Sequence, residues 1–341
     1  MNRFLNIYIP SYNRPDKCLF MVTKLLKQVK NFNNLKITIL DNCSEINYEE
    51  YFLNDVYIPQ YIDKGILKVI RNNVNIGMSA NIMKCFEYSS IDTGWLWIIS
   101  DDDLIRDNAI ENVFNSIYET SNDVGFIKFS SKNLLHKKTY IIDSAKKLIK
   151  YISVNPRVRF NSYIFLTNII YRIETFKESI ACAYDYNLTH CPQFILLTLS
   201  ISTKSFIKHD QNQLVDYKRA KIGYSYGLFA GIQIGSIKPL LINDTTIRDF
   251  HYIFQVHNDM KVAIDLFYEL FSKGSTKKLP ALLFVYWFNL LFAKCYLRSI
   301  FFIPIIPLVI IPPLRGILLK LLIKSKYSSE IIEIKKRYKI I

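Results

Sequence analysis

The sequence has 341 residues, half of them hydrophobic, and a formal net charge of +15. That is enough apolar material for one large domain or two modest ones, and it excludes a disordered or fibrous chain. The positive balance suits nucleic acid, anionic lipid or a phosphorylated substrate, but no zinc-finger spacing, RNP-type segment or compact basic recognition helix is present, so no nucleic-acid partner is expected.

The N-terminal part alternates strand and helix. Leu5–Ile9 reads as a β-rich run ended by Pro10, too short for the apolar core of a secretion signal, so a cytosolic start is expected. Pro15 suits a first helical turn, after which Leu19, Val22, Leu25, Leu26 and Val29 share one face. Lys36–Leu40, closing on Asp41, and Ile66–Ile70, closing on Arg71, read as further strands. Ser79 is the expected cap of a helix with Ile82, Met83 and Phe86 inward. Trp95–Ile99 is a fourth strand ending at Ser100-Asp101-Asp102-Asp103, with Trp95 and Trp97 in the core. Asp107 is the expected cap of the next helix, whose Ile110, Val113 and Ile117 face inward.

Such alternation predicts an α/β fold, a largely parallel sheet covered on both faces, with ligands at the carboxyl ends of its strands near a topological switch point. The polar clusters fall at those ends: Ser11-Tyr12-Asn13-Arg14, Asp41-Asn42, Arg71-Asn72-Asn73 and the three aspartates. Further on, Val124–Ser130 and Ser162–Tyr171 read as strands and Pro192–Ser202 as a buried helix. The region from Gly223 to Lys273 reads as helical.

The C-terminal segment holds two apolar runs, Leu279–Ala293 and Ile300–Leu314, separated by Lys294 and Arg298. Each is shorter than the roughly 20 residues of a spanning helix. In-plane or re-entrant burial is favoured, followed by the basic amphipathic stretch Arg315–Lys326; a two-helix hairpin and a buried helical core are the alternatives. Basic and apolar together point to an anionic membrane surface. The expected division is 1–220 for the catalytic domain, 221–278 for a helical extension and 279–341 for the membrane-associating tail. The scattered cysteines contain no CxxC pair and read as core residues in a reducing compartment.

Three successive carboxylates at a strand end repel one another unless a cation is present. A hard divalent ion, Mg²⁺ or Mn²⁺, takes one or two protein carboxylates together with substrate phosphates. The competing reading is a solvated acidic turn. The ordered set Pro10-Ser11-Tyr12-Asn13-Arg14-Pro15, Leu40-Asp41-Asn42-Cys43-Ser44, Asn75-Ile76-Gly77 with Asn81, and Ser100-Asp101-Asp102-Asp103 resembles the family 2 glycosyltransferases of the GT-A fold over residues 4–130. The resemblance implies a nucleoside-diphosphate sugar donor. Pro10, Tyr12 and Arg14 would border the nucleotide pocket, with Arg71 beside it. Asp41 would hold the base or ribose, Gly77 would let backbone approach the donor, and Asn81 would contact it. Asp102 would be the metal ligand, with Asp103 assisting and Asp101 facing the sugar or ribose.

Many members of that family place the base for acceptor deprotonation in a Glu-Asp pair at the start of a later helix. This chain departs there: the helix near Pro192 follows His190-Cys191 and continues with Gln193. Asp185 is the first candidate base and His190 the second. The implied product is a bacterial surface glycan (O-antigen, capsule or lipooligosaccharide), built by inversion on a lipid-linked saccharide at the cytoplasmic face of the inner membrane. Two other readings stand beside it. A nucleotidyltransferase would bring a glycine-rich triphosphate loop, absent from Ser11–Pro15, and a degenerate membrane-bound binding module would need no base.

Overall fold

The computed structural model describes residues 3–29, 32–131, 134–136, 138–154, 162–185, 187, 192–201, 205–216 and 320. His190, the expected helical extension and, Lys320 aside, the expected tail lie outside the described residues. Among the described residues no helix is long and apolar enough to cross a membrane.

Strands β1 (Leu5–Ser11), β2 (Leu35–Asp41) and β3 (Leu67–Arg71) alternate with helices α1 (Pro15–Val29), α2 (Tyr48–Leu53) and α3 (Pro59–Asp63). Then come α4 (Met78–Ser89), β4 (Trp95–Ile98), α5 (Ala109–Tyr118), β5 (Val124–Ser130), β6 (Tyr140–Ile142) and α6 (Ala145–Val154). Strand β7 (Ile169–Arg172) and β8 (Phe206–Gln213) flank short helical turns and the buried helix Pro192–Ile201. One eight-stranded mixed sheet results, in the order β3-β2-β1-β4-β7-β5-β8-β6.

The first four strands in that order are mutually parallel, and β7 runs antiparallel to both β4 and β5. The expected strand over Ser162–Tyr171 is confined to Ile169–Arg172, because Leu166–Asn168 tightens into a 3₁₀ turn. After β3 the chain returns to the other side of β1 to lay down β4. The switch point therefore lies between β1 and β4, whose carboxyl ends carry Ser11–Arg14 and Asp101–Asp103.

Alternation places Leu5, Ile7, Ile9, Trp95 and Trp97 in one core with α1 and α5. On the opposite face Phe86 of α4 packs edge-on against Tyr171 and Phe176. Three local expectations need correction. Strand β1 continues through Pro10 to Ser11; its pairing with β4 ends at Tyr8, where Ile99 N–H donates to the Tyr8 carbonyl, so Pro10 breaks no bond to β4. Helix α4 is capped by Gly77 and not Ser79, which sits in its first turn. The α5 cap is Asn108, while Asp107 is exposed and pairs with Lys24 at 3.3 Å.

Candidate functional site

Two polar clusters form along the carboxyl edge of the parallel strands. The first is centred on Asp41, the last residue of β2, which is fully buried. Its Oδ1 accepts the Ser44 N–H at 2.9 Å, and its Oδ2 accepts Arg71 Nη1 at 2.6 Å. Arg71 ends the neighbouring strand and sends Nη2 to the Ser44 carbonyl at 2.6 Å, closing a bidentate clamp around the turn. Beside it runs a ladder of amides. Asn72 Nδ2 donates to Asn42 Oδ1 (3.0 Å) and Asn81 Oδ1 (2.8 Å); Asn81 Nδ2 donates to the Leu40 carbonyl, and Asn42 Nδ2 to Asn75 Oδ1. Asn81 thus reaches the β2 end from α4, and its side chain is spent on this scaffold.

The loops after β1 and β2 brace each other. Asn13 and Cys43 both adopt left-handed backbone, at φ 51° and 63°. Asn13 N–H donates to Ser44 Oγ, and Glu45 N–H to Asn13 Oδ1, both at 2.8 Å. Asparagine tolerates this conformation; for cysteine it is strained, a feature that gathers at functional sites. Tyr12, between them, is 41% exposed. Gly77 has φ 84°, which demands glycine, and no atom lies within 4 Å of where its Cβ would stand. The backbone there faces open space at the start of α4.

The second cluster is the aspartate run after β4. Asp101 is buried, and its Oδ2 accepts the Ser11 hydroxyl at 2.6 Å. Ser11 has one hydrogen and spends it on that carboxylate, so the 2.9 Å contact between Ser11 Oγ and Tyr48 OH must be donated by Tyr48. Tyr48 OH in turn accepts the Arg14 backbone N–H at 2.7 Å. A directed chain therefore leads from Arg14 N–H through Tyr48 and Ser11 to Asp101. Arg14 also spans the acids with its side chain, Nη2 3.0 Å from Asp101 Oδ1 and Nη1 3.0 Å from Asp102 Oδ2. The other Asp102 oxygen accepts Ser100 Oγ at 2.6 Å. Asp103 accepts a hydrogen bond from the Thr167 hydroxyl, which itself accepts the Ser100 N–H at 3.1 Å. Trp97 Nε1 donates to the Thr167 carbonyl at 2.8 Å, fixing that turn against β4.

Burial pushes the Asp101 carboxyl up to about 6 against the pull of Ser11 and Arg14, and repulsion from Asp102 adds to it. Burial likewise pushes Asp103 to about 7 against the Thr167 hydrogen bond, with both neighbouring acids adding. Both acids are thus held near neutrality, and Asp101 carries a buried Oδ1 that accepts no hydrogen bond although the Arg14 guanidinium stands 3.0 Å away. The donor set is all carboxylate oxygen, which suits Mg²⁺ or Mn²⁺. Among the described residues no group of three or more His, Cys, Asp or Glu converges on one point.

Thr167 and Tyr48 were not singled out from the sequence: Thr167 lies in an apolar stretch and Tyr48 in a short acidic helix, and only the fold brings each to the site. Asp185 is not brought there. It caps the turn Ile180–Tyr184, and its neighbour Tyr184 donates to Glu87 at the far end of α4 from Gly77, roughly 15 Å along that helix. Arg172 stacks over Trp95 at 4.9 Å and donates to the Ser121 and Asn122 carbonyls, a structural role.

Comparison with known proteins agrees with this geometry. A search of curated protein sequences returns no match. The chain is similar in fold to S. aureus TarS 1–349 solved with UDP-GlcNAc: TM-score 0.56, 14% identity, covering 85% of this chain and 81% of that one. It is similar also to TarS 1–349 with UDP, at TM-score 0.54 and 13% identity over 84% and 80%. The sequence pattern described as "Glycosyl transferase family 2" matches residues 6–177. That match spans half of the chain and every element of the two clusters, so the chain belongs to glycosyl transferase family 2 and is a glycosyltransferase of the GT-A fold.

Proposed function

We propose that the enzyme moves a sugar from a nucleoside-diphosphate sugar to a hydroxyl of a lipid-linked saccharide, inverting the anomeric centre with the help of Mn²⁺ or Mg²⁺. The observation that carries the reading is the Asp101–Asp103 run at the β1/β4 switch point, in which Asp101 is buried and one of its carboxylate oxygens accepts no hydrogen bond. Asp102 and Asp103 would hold the cation with the donor's phosphates, and Asp101 would face the sugar or ribose. When bound, the cation offsets the negative charge that develops on the leaving diphosphate.

The chain's own residues divide the remaining work. Ser11, Ser100 and Thr167 each fix one aspartate by a hydroxyl donor, so the acids keep one geometry despite their mutual repulsion. The Asp41–Arg71 clamp shapes the end of β2 where the nucleoside would lie, and the open backbone at Gly77 leaves room for the donor. The acceptor oxygen attacks the anomeric carbon as the bond from that carbon to the diphosphate oxygen breaks. A glycosidic bond forms, the nucleoside diphosphate departs with the bonding electrons, and the acceptor's proton passes to a base. Asp185 lies at the wrong end of α4 for that task. His190 lies outside the described residues and is the candidate we retain from the sequence alone.

The basic, apolar segment from Leu279 supports a membrane-surface acceptor and a place on the cytoplasmic face of a bacterial inner membrane, where surface glycans are assembled on lipid. Calorimetric titration with UDP, GDP, CDP and dTDP, with and without Mn²⁺, tests the donor reading. UDP comes first because the TarS structures hold UDP-GlcNAc and UDP. Metal-dependent binding of one nucleotide is expected; no binding of any by folded protein would overturn it.

A further inference from the structure

Arg14 is the sole ion-pair partner of Asp101 and Asp102 among the described residues. Its two contacts differ. The one to Asp102 is a hydrogen bond, whereas Asp101 Oδ1 is buried and accepts none although the guanidinium stands 3.0 Å away. On each of these aspartates the other oxygen is already taken by a serine hydroxyl. Arg14 therefore covers the oxygens that a ligand would need.

The backbone of Arg14 is held independently of its side chain. Its N–H donates to Tyr48 OH, and its carbonyl accepts the Cys18 N–H at 3.1 Å as α1 begins. The side chain is 40% exposed, so it can leave towards solvent without unwinding anything.

We infer that Arg14 is an exchangeable counter-ion, a positioning residue that holds Asp101 and Asp102 while the donor is away, and that yields Asp102 to a divalent cation and Asp101 to the sugar or ribose when the two arrive with the diphosphate. The inference deepens the proposed donor-and-cation chemistry and rests on it. A cation alone must expel the guanidinium with nothing to receive its charge. A cation arriving with a diphosphate offers the freed guanidinium a planar, bidentate anionic partner. The two ligands therefore bind cooperatively, and linkage makes that cooperativity reciprocal.

The test uses the full chain with Arg14→Gln and Arg14→Lys, each confirmed folded by thermal melting. Binding of Mn²⁺ alone is read from the loss of its free-ion paramagnetic resonance signal. Arg14→Gln should bind Mn²⁺ without nucleotide roughly tenfold or more tightly than the native protein, because a unit positive charge beside the site has gone. Arg14→Lys keeps the charge but lacks the fork that spans two carboxylates, and should fall between. A damaged fold would weaken Mn²⁺ binding, so a gain has no such explanation. Unchanged or weaker binding by Arg14→Gln would overturn the exchange. A second arm measures the factor by which the nucleotide that binds, of UDP, GDP, CDP and dTDP, tightens Mn²⁺ binding. That factor should shrink in Arg14→Gln, and an unaltered factor counts against the exchange. If none of the four binds native protein, the donor chemistry fails, while the Mn²⁺ measurement still decides whether Arg14 competes with a cation.

Discussion

The two acidic clusters lie on the same sheet edge and are built from the same side chain, yet they are finished differently. At the end of β2, Asp41 is buried with both oxygens bonded, one to a backbone N–H and one to Arg71. At the end of β4, two of the three acids share one guanidinium, an oxygen of Asp101 accepts no hydrogen bond, and burial holds Asp101 and Asp103 near neutrality. A closed network specifies a shape, and an open one specifies a ligand. The closed cluster holds the loops, and the open cluster is the one to which the proposed cation and donor are assigned.

The contrast can be broken most sharply at Asp102, whose side chain is 35% exposed. Asp102→Asn should lower turnover by two orders of magnitude or more, about 3 kcal/mol in the transition state, while the melting temperature stays within about 2 °C. Near-normal turnover in that variant would remove Asp102 from the metal site. Asp41→Asn should do the reverse, costing about 2–4 kcal/mol of stability in denaturant unfolding, because Arg71 loses its buried partner. An unchanged unfolding midpoint would show that the clamp is incidental.

The pH response separates the clusters again. Asp101 and Asp103 titrate higher in the fold than the ordinary 3.8, at about 6 and about 7. The folded state therefore binds their protons more tightly than the unfolded chain does. The stability this confers on the cation-free protein is complete below about pH 4 and is lost as pH rises through 6 to 7. Mn²⁺ needs the ionised acids, so its stabilisation of the fold should grow over that same interval. Melting curves between pH 5 and 8 with and without Mn²⁺ measure both, and the trend should flatten in Asp101→Asn. The smallest effect is expected at Thr167. Thr167→Val should cost about 1 kcal/mol through the lost hydroxyl and weaken Mn²⁺ binding in the presence of nucleotide, and Thr167→Ser should restore both. Failure of serine to rescue would assign the residue to packing alone.

Much of this was legible in the sequence because apolar runs stop where polar clusters begin. Each of the first four strands could be placed by its apolar core and by the Asp, Asn or Arg that follows. What was not legible depends on tertiary direction. Nothing in the Ser162–Tyr171 pattern says that the chain makes a 3₁₀ turn and then runs antiparallel, and that reversal is what brings Thr167 to Asp103. Asp185 lies seven residues before the helix Pro192–Ile201 in sequence but is tethered through Tyr184 to the opposite end of α4. Ser79 and Asp107 have good capping chemistry, but backbone geometry put Gly77 and Asn108 in those positions. Arg71 was expected beside the nucleotide; its clamp on Asp41 came only from the register that pairs the two residues across β2 and β3.

The antiparallel strand β7 has a consequence for how the chain is made. β4 is central in the finished sheet, but the neighbour that covers its outer side, with Ile170 opposite Trp97, comes more than 70 residues later. A ribosome that has released β1 to β4 has released a parallel sheet whose β4 edge, bearing two tryptophans and followed by the whole aspartate cluster, is still bare. Until Ile169–Arg172 emerge, that edge can be closed only by another chain or by a chaperone. The segment that steadies Asp103 is thus also the segment that ends the nascent protein's most exposed interval.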